Sequence, residues 1–372
     1  MPMNGDISLY IHLPFCTKKC PYCHFYVVLD KEPLKERLLE AMLLEWKKIS
    51  PCVQKHRLVS IYFGGGTPAL FGPHRVQTLL EAIRNDIQIP SDVEITIEAN
   101  PETCSYDDLA AYRMLGINRL SIGVQSFSNT LLHTLGRTHS SQKALEACQK
   151  ARDAGFENIT IDLMYELPNQ TLGTWKQTLE QALTLPITHL SLYNLTIEPH
   201  TAFHRKEAVL QPQLPPQDEC TAMYELAIKM MTESGFTHYE ISAFCKEGLY
   251  SRHNIGYWTN RFFFGMGPSA FSYYGDRRFQ NVANLPRYCK LLQEGKSTED
   301  FEEVLDSEKR KKEVLALRLR VLEGVPRSEI DPASYASIEY LENQGLVQYK
   351  NERLCLTHKG ILFYDTVASE LI

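Results

Sequence analysis

Residues 9–25 read LYIHLPFCTKKCPYCHF: a short apolar run followed at once by three cysteines in the spacing C-x-x-x-C-x-x-C. Leu9 to Leu13 has the length and composition of a buried strand. Cys16, Cys20 and Cys23 therefore gather just past its carboxyl end, where barrel and open-sheet α/β proteins place their chemistry.

Five further strand patterns follow at intervals suited to βα units, at Val59 to Phe63, Glu94 to Glu98, Arg119 to Val124, Ile159 to Leu163 and His189 to Leu195. Between them lie helical periodicities such as residues 33–49 and 140–155, the second ending on Gly155 as a C-cap. Six such repeats suit either an open doubly wound sheet or a partial barrel. The alternation stops near residue 205. Residues 206–300 open on a Pro-rich stretch and a helix; from 236 they are rich in aromatics and Gly, and irregular structure packed on the first unit is expected there. Residues 301–372 have the order of a winged helix, with a wing around Tyr349 to Arg353. Their mixed charge favours a structural or docking module over DNA contact.

Across 372 residues, 44% hydrophobic and 23% charged residues are globular averages, which excludes disordered, collagen-like and coiled-coil classes. A net charge of −6 gives no overall footprint of a nucleic-acid binder. No secretory leader is expected, because no Lys or Arg precedes the first apolar stretch and no cleavage pattern follows it. Apolar runs fall short of the ~20 residues of a membrane span. A cytoplasmic protein is expected, with peripheral membrane contact and a dimer both left open.

Seven of the ten cysteines are scattered and read as small buried hydrophobes. The cluster of three is different. Three soft thiolates suit zinc or an iron–sulfur centre. Zinc requires a fourth ligand, for which His12 or His24 is available. Cys20 to His24 also fits the C-x-x-C-H pattern of covalent haem attachment.

Gly64, Gly65, Gly66 and Thr67 follow the second strand, and side-chain-free residues there allow close approach of a ligand. Glu98, Gln125, Arg137 and Asp162 lie at or near the ends of the next three strands. Carboxylates there suit ribose hydroxyls, and Arg137 a carboxylate. The cysteine spacing, followed by an aromatic and a Gly-rich turn, resembles the radical S-adenosylmethionine superfamily. The resemblance implies a partial (βα)6 TIM-type barrel. It also implies a [4Fe–4S] cluster on Cys16, Cys20 and Cys23, whose open iron takes S-adenosylmethionine. Reductive cleavage would then give methionine and a 5′-deoxyadenosyl radical. The order of the later motifs is similar to the coproporphyrinogen dehydrogenase branch. That branch implies cofactor contacts at Tyr10, Gly65, Gly66, Thr67, Glu98, Gln125, Arg137, Asp162 and Thr196. Gln125, Arg137 and Asp162 also suit a second cofactor molecule or the substrate.

Within the branch, Phe25 stands where the dehydrogenases carry another cysteine, and only fifteen residues precede Cys16, too few for their N-terminal arm. Both features resemble the HemW-type haem chaperones. HNIGYW, residues 253–258, looks like the HNxxYW motif of that group. This implies His253 as an axial haem ligand in a Gly-flanked loop, with Tyr257 and Trp258 as flat contacts. Two departures stand out: Glu166 replaces the Gly of the usual YGLP, and His24 replaces the Asp of CPYCDF. A Glu at the mouth is expected to narrow the cofactor pocket and to repel propionates.

The resemblance thus implies a protein that binds a cluster, S-adenosylmethionine and haem, draws on an electron donor, delivers haem to acceptor haemoproteins and binds no nucleic acid. The alternatives are an oxygen-independent coproporphyrinogen III dehydrogenase and a structural zinc protein with a DNA-binding wing. Cys→Ser at position 16, 20 or 23 should abolish a brown, oxygen-sensitive chromophore carrying four iron and four sulfide per chain, because a hydroxyl ligates iron poorly. Stoichiometric zinc without labile sulfide, after anaerobic purification, is the result that contradicts it.

Overall fold

The computed structural model describes residues 5–372, so the leader reading falls partly on residues 1–4, outside the described residues. All six expected strands form: β1 (Asp6–Leu13), β2 (Arg57–Gly65), β3 (Glu94–Ala99), β4 (Arg119–Gln125), β5 (Asn158–Tyr165) and β6 (His189–Asn194). Each pairs in parallel with the next in chain order. An order that never reverses gives no switch point, so the sheet winds one way, as in a barrel.

The period of two divides each strand between two environments. Ile7, Leu9, Ile11 and Leu13 of β1, Ile61 and Phe63 of β2, and Ile95 and Ile97 of β3 enter one apolar core shared with the crossover helices. The alternate residues are polar and meet one another on the other face. Ser60 bonds Ser8 at 2.9 Å, the Tyr10 and Tyr62 rings stack, and Ser121 reaches Asp162. The interior of this barrel is therefore a polar chamber.

The extension departs from expectation. The expected helix forms at Gln217–Glu233, but residues 236–300 are regular rather than irregular, with the strands β7 (Thr237–Glu240), β8 (Ala243–Cys245), β9 (Phe262–Met266), β10 (Phe271–Tyr274) and β11 (Arg277–Asn281). With β12 (Glu299–Val304) these complete one twelve-stranded sheet in the order β12-β11-β10-β9-β1-β2-β3-β4-β5-β6-β8-β7. β9 runs parallel to β1, and β8 runs antiparallel to β6. The barrel is left partial because its two edges are taken by these strands rather than by each other. The continuous apolar run FFFGM is what a buried parallel strand looks like. The apolar core extends from Ile7 to Leu292, so residue 205 marks no break in packing.

The last unit has its own core, from Leu315 to Leu371. It begins with the helix Ser307–Leu319, so residues 301–304, expected in this unit, belong instead to β12. The wing is the hairpin of Val347–Lys350 with Arg353–Leu356, and Asn351 and Glu352 take φ of 49° and 56° at its two-residue turn.

Glu166 follows β5 at φ 61°, the left-handed region that favours glycine. Its side chain faces Asn194 and Cys220 and does not line the cavity described below, which corrects the expectation that it narrows the mouth. Glu166→Gly should stabilise the protein by about 1 kcal/mol, seen as a raised denaturation midpoint. An unchanged or lowered midpoint would show that the Asn194 contact outweighs the backbone strain.

Candidate functional site

The cysteine loop is the continuation of β1. After Pro14, the segment Phe15–Cys16 pairs in parallel with Val28–Leu29, closing the loop between them. Inside it, the Cys23 amide donates to the Cys20 carbonyl at 3.1 Å. From outside, the Phe203 amide holds the Pro21 carbonyl at 2.9 Å. Gly136, at φ 68°, packs so closely on Pro21 that a Cβ there would stand 2.6 Å from the ring.

The glycine turn lies alongside. The Gly66 amide donates to the Leu13 carbonyl at 3.0 Å, and a Cβ on Gly66 would meet the Phe15 carbonyl at 2.6 Å. The close approach that requires glycine here is therefore to the cysteine loop itself.

The three thiols surround one cavity of about 390 Å³. Of the expected cofactor contacts, Gly65, Gly66, Thr67, Glu98, Gln125, Arg137, Asp162 and Thr196 line it together with Cys16, Cys20 and Cys23. Tyr10 does not; it lies beneath, bonding His12 Nδ1 at 3.0 Å. His12 Nε2 meets the Tyr26 carbonyl at 3.1 Å, so it must carry the proton, leaving Nδ1 to accept from Tyr10. With both nitrogens engaged, His12 is no ligand in this arrangement. Among the described residues, no three His, Cys, Asp or Glu side chains are grouped to hold a single metal ion.

Burial pushes the Cys16 thiol up to about 11 and raises that of Cys23, opposed there by a bond from the Phe25 backbone. Binding a metal here must therefore release protons. Glu98 accepts from Tyr62 at 2.7 Å and from the Gly65 amide at 3.2 Å. Burial pushes its carboxyl up to about 7, the Asp162 charge adding and those two bonds opposing. Asp162 rises to about 6 through burial, against bonds from Ser191 and Ser121. Both carboxyls are reached from the cavity yet sit deep in the chamber. Arg137 Nε is buried without a partner. Soft thiols, recessed carboxyls and an incompletely satisfied guanidinium around one cavity fit an iron–sulfur cluster with a ligand bearing hydroxyls and a carboxylate.

Asn100 also lines the cavity and bonds both Thr67 and Arg137. It directly follows β3, two residues after Glu98, and the sequence offers no signal to separate it from a turn residue.

The HNIGYW segment differs from expectation. It is a helix, Arg252–Trp258, set into the chamber away from the thiol cavity. His253 is 1% exposed, with Nδ1 on Ser60 at 2.9 Å and Nε2 on the Tyr257 hydroxyl at 2.8 Å. Glu94 accepts the helix's first amides, from Arg252 and His253. Burial lowers the imidazole to about 3. Trp258 lies under the Arg320 guanidinium, 4.2 Å from its ring centroid. Here His253 offers iron no free nitrogen, and the motif's aromatics are occupied in packing. His24, by contrast, is exposed at the cavity rim beside Phe25, their ring centroids 4.5 Å apart.

Residues 10–182 match the Radical SAM superfamily. The fold is that of the solved structure titled "Coproporphyrinogen III oxidase (HemN) from Escherichia coli is a Radical SAM enzyme", with a TM-score of 0.86 over 99% of this chain and 90% of that one, at 24% identity. The chain is 34% identical to the heme chaperone HemW of Lactococcus lactis, covering 98% of this chain and 97% of the relative. It is 34% identical to that of Bacillus subtilis, covering 97% of both. It is 36% identical to that of Escherichia coli, covering 87% and 85%. The chain belongs to the HemW family of this superfamily.

The buried Glu98 makes a pH-dependent prediction. Its folded pKa of about 7 lies above the ~4.3 of an unfolded Glu, so the folded state keeps a proton that the unfolded state loses between those values. Stability falls as pH rises through that window. Glu98→Gln should thus leave stability at pH 4.5 nearly unchanged and raise it at pH 8 by about 1–3 kcal/mol, measured by urea denaturation. An equal effect at both pH values would show that the carboxyl is not protonated in the folded state.

Proposed function

We propose that the chain is a cytoplasmic haem chaperone that holds a [4Fe–4S] cluster on Cys16, Cys20 and Cys23, binds S-adenosylmethionine beside it, and passes haem to acceptor haemoproteins. The observation that carries this reading is the single cavity bounded by three thiols, a glycine turn and polar strand ends, in a chain related to HemW proteins over nearly its whole length. When bound, the cluster supplies one electron at low potential and S-adenosylmethionine a reducible sulfonium. An electron donor is implied.

The chain's own residues divide the binding work. Gly65 and Gly66 present backbone to the ligand. Glu98 and Asp162 accept from hydroxyls, and as their pKa values lie near neutrality, each also holds or yields a proton. Arg137, through its free Nε, meets the ligand's carboxylate. Gln125 and Thr196 complete the wall. Tyr10 supports it from below by fixing Nδ1 of His12.

For haem, the geometry favours the rim over the HNIGYW helix. His24 offers an exposed imidazole, Phe25 an apolar face 54% exposed, and Lys18 and Lys19 lie on the same wall as cations for propionates. Phe25 in place of a further cysteine also sets this chain apart from the dehydrogenases.

The test is anaerobic reconstitution followed by two assays on one sample. Haem titration should weaken about tenfold or more in His24→Ala and change little in His253→Ala, provided circular dichroism shows the latter folded. The opposite ranking returns haem ligation to the helix. Coproporphyrinogen III with S-adenosylmethionine and reductant should remain unconverted; stoichiometric protoporphyrinogen IX with two CO2 released, blocked by Cys20→Ser, would make the protein a dehydrogenase.

A further inference from the structure

Between the two loops that meet at the thiols stands Asn100, at the end of β3. Its Oδ1 accepts from Arg137 Nη2 at 2.6 Å, and its Nδ2 donates to Thr67 Oγ1 at 2.9 Å. The direction of this chain is fixed by chemistry. A guanidinium only donates, so the amide atom facing Arg137 is the oxygen, and the amide nitrogen is turned toward Thr67. Thr67 accepts from Asn100, which leaves its hydroxyl proton for the Cys16 sulfur 3.8 Å away. At the other end the guanidinium, held also by the Gly123 carbonyl at 2.8 Å, brings Nη1 to 3.7 Å from the Cys20 sulfur. The backbone of Asn100 is fixed as well, its amide donating to Thr103 Oγ1 at 3.1 Å and its carbonyl accepting from the Thr103 amide at 2.8 Å.

We propose that Asn100 is a positioning residue that aims two donors, the Thr67 hydroxyl and the Arg137 guanidinium, at the sulfurs of Cys16 and Cys20, and so sets the reduction potential of the cluster those sulfurs hold. The inference rests on the cluster reading above. Reduction adds negative charge that is shared by the sulfurs. Donors pointed at them stabilise the reduced state more than the oxidised one and raise the potential. Asn100 touches neither sulfur and acts only through the orientation of its two partners.

The experiment compares wild type with Thr67→Val, Thr67→Ser, Asn100→Ala and the double variant Asn100→Ala/Thr67→Val, each reconstituted anaerobically and titrated by EPR, with iron and sulfide measured on the same samples. Thr67→Val and Asn100→Ala should both titrate at lower potential than wild type. Thr67→Ser, which keeps the hydroxyl, should stay near it. Thr67→Val should add little to Asn100→Ala, because without the amide the hydroxyl is no longer aimed. Exchangeable-proton couplings to the reduced cluster, lost in D2O, should weaken in Thr67→Val. Equal potentials for Thr67→Val and Thr67→Ser at full iron and sulfide content overturn the proposal, and that pair decides alone if Asn100→Ala does not assemble a cluster. A wild-type protein that assembles no cluster overturns instead the reading beneath it.

Discussion

The parallel register of β1 on β2 is the constraint on which the rest depends. Leu13 lies opposite Gly65, and the pairing continues past both strands as the Gly66 amide meets the Leu13 carbonyl and the Thr67 amide meets that of Phe15. The cysteine loop and the glycine turn are therefore locked together before any ligand is considered. Slipping the register by one residue would turn the apolar side chains of β1 into the chamber and its polar ones into the core. It would also carry Cys16 away from Thr67.

The same alternation explains why the barrel interior is costly and yet persists. Polar side chains removed from water need partners. The chamber supplies them laterally, Ser8 with Ser60 and Tyr62 with Glu98. Where partners run out, as at Arg137 Nε, the molecule keeps an unmet bond at the place where a charged ligand is proposed. Carboxyls raised toward neutrality are the complementary sign: they are stable enough when protonated to be buried, and ready to ionise when a partner arrives.

Much of this was legible in the chain itself. Six short runs marked the six barrel strands, because a period of two, with apolar residues toward the core and polar ones toward the chamber, is a pattern that local turns cannot imitate. Polar residues at the ends of those runs marked the cavity wall, because parallel strands in chain order bring their carboxyl ends to one mouth. What escaped was set by distant contacts. FFFGM reads locally as irregular because its partner β1 lies about 250 residues earlier, beyond any local window. HNIGYW reads as a Gly-containing loop, yet Glu94, from β3, caps it into a helix and Ser60, from β2, claims its histidine. Asn100 resembles an ordinary turn residue, and only the guanidinium of Arg137 tells which way its amide faces. Glu166 stands out in the sequence as a departure, but nothing local gives its direction; the side chain turns toward Asn194 and Cys220.

The pairing of β1 with β9 has a consequence for how the molecule comes into being. During synthesis β1 emerges well before β9, so its neighbour on one side waits for residues 262–266. Until then the strand that leads into the cysteine loop presents an unpaired edge, and its closure is one of the most non-local events in the chain, of the kind that slows folding and leaves a nascent polypeptide exposed to mispairing. The thiol loop is thus displayed on a growing chain well before the sheet beneath it is finished.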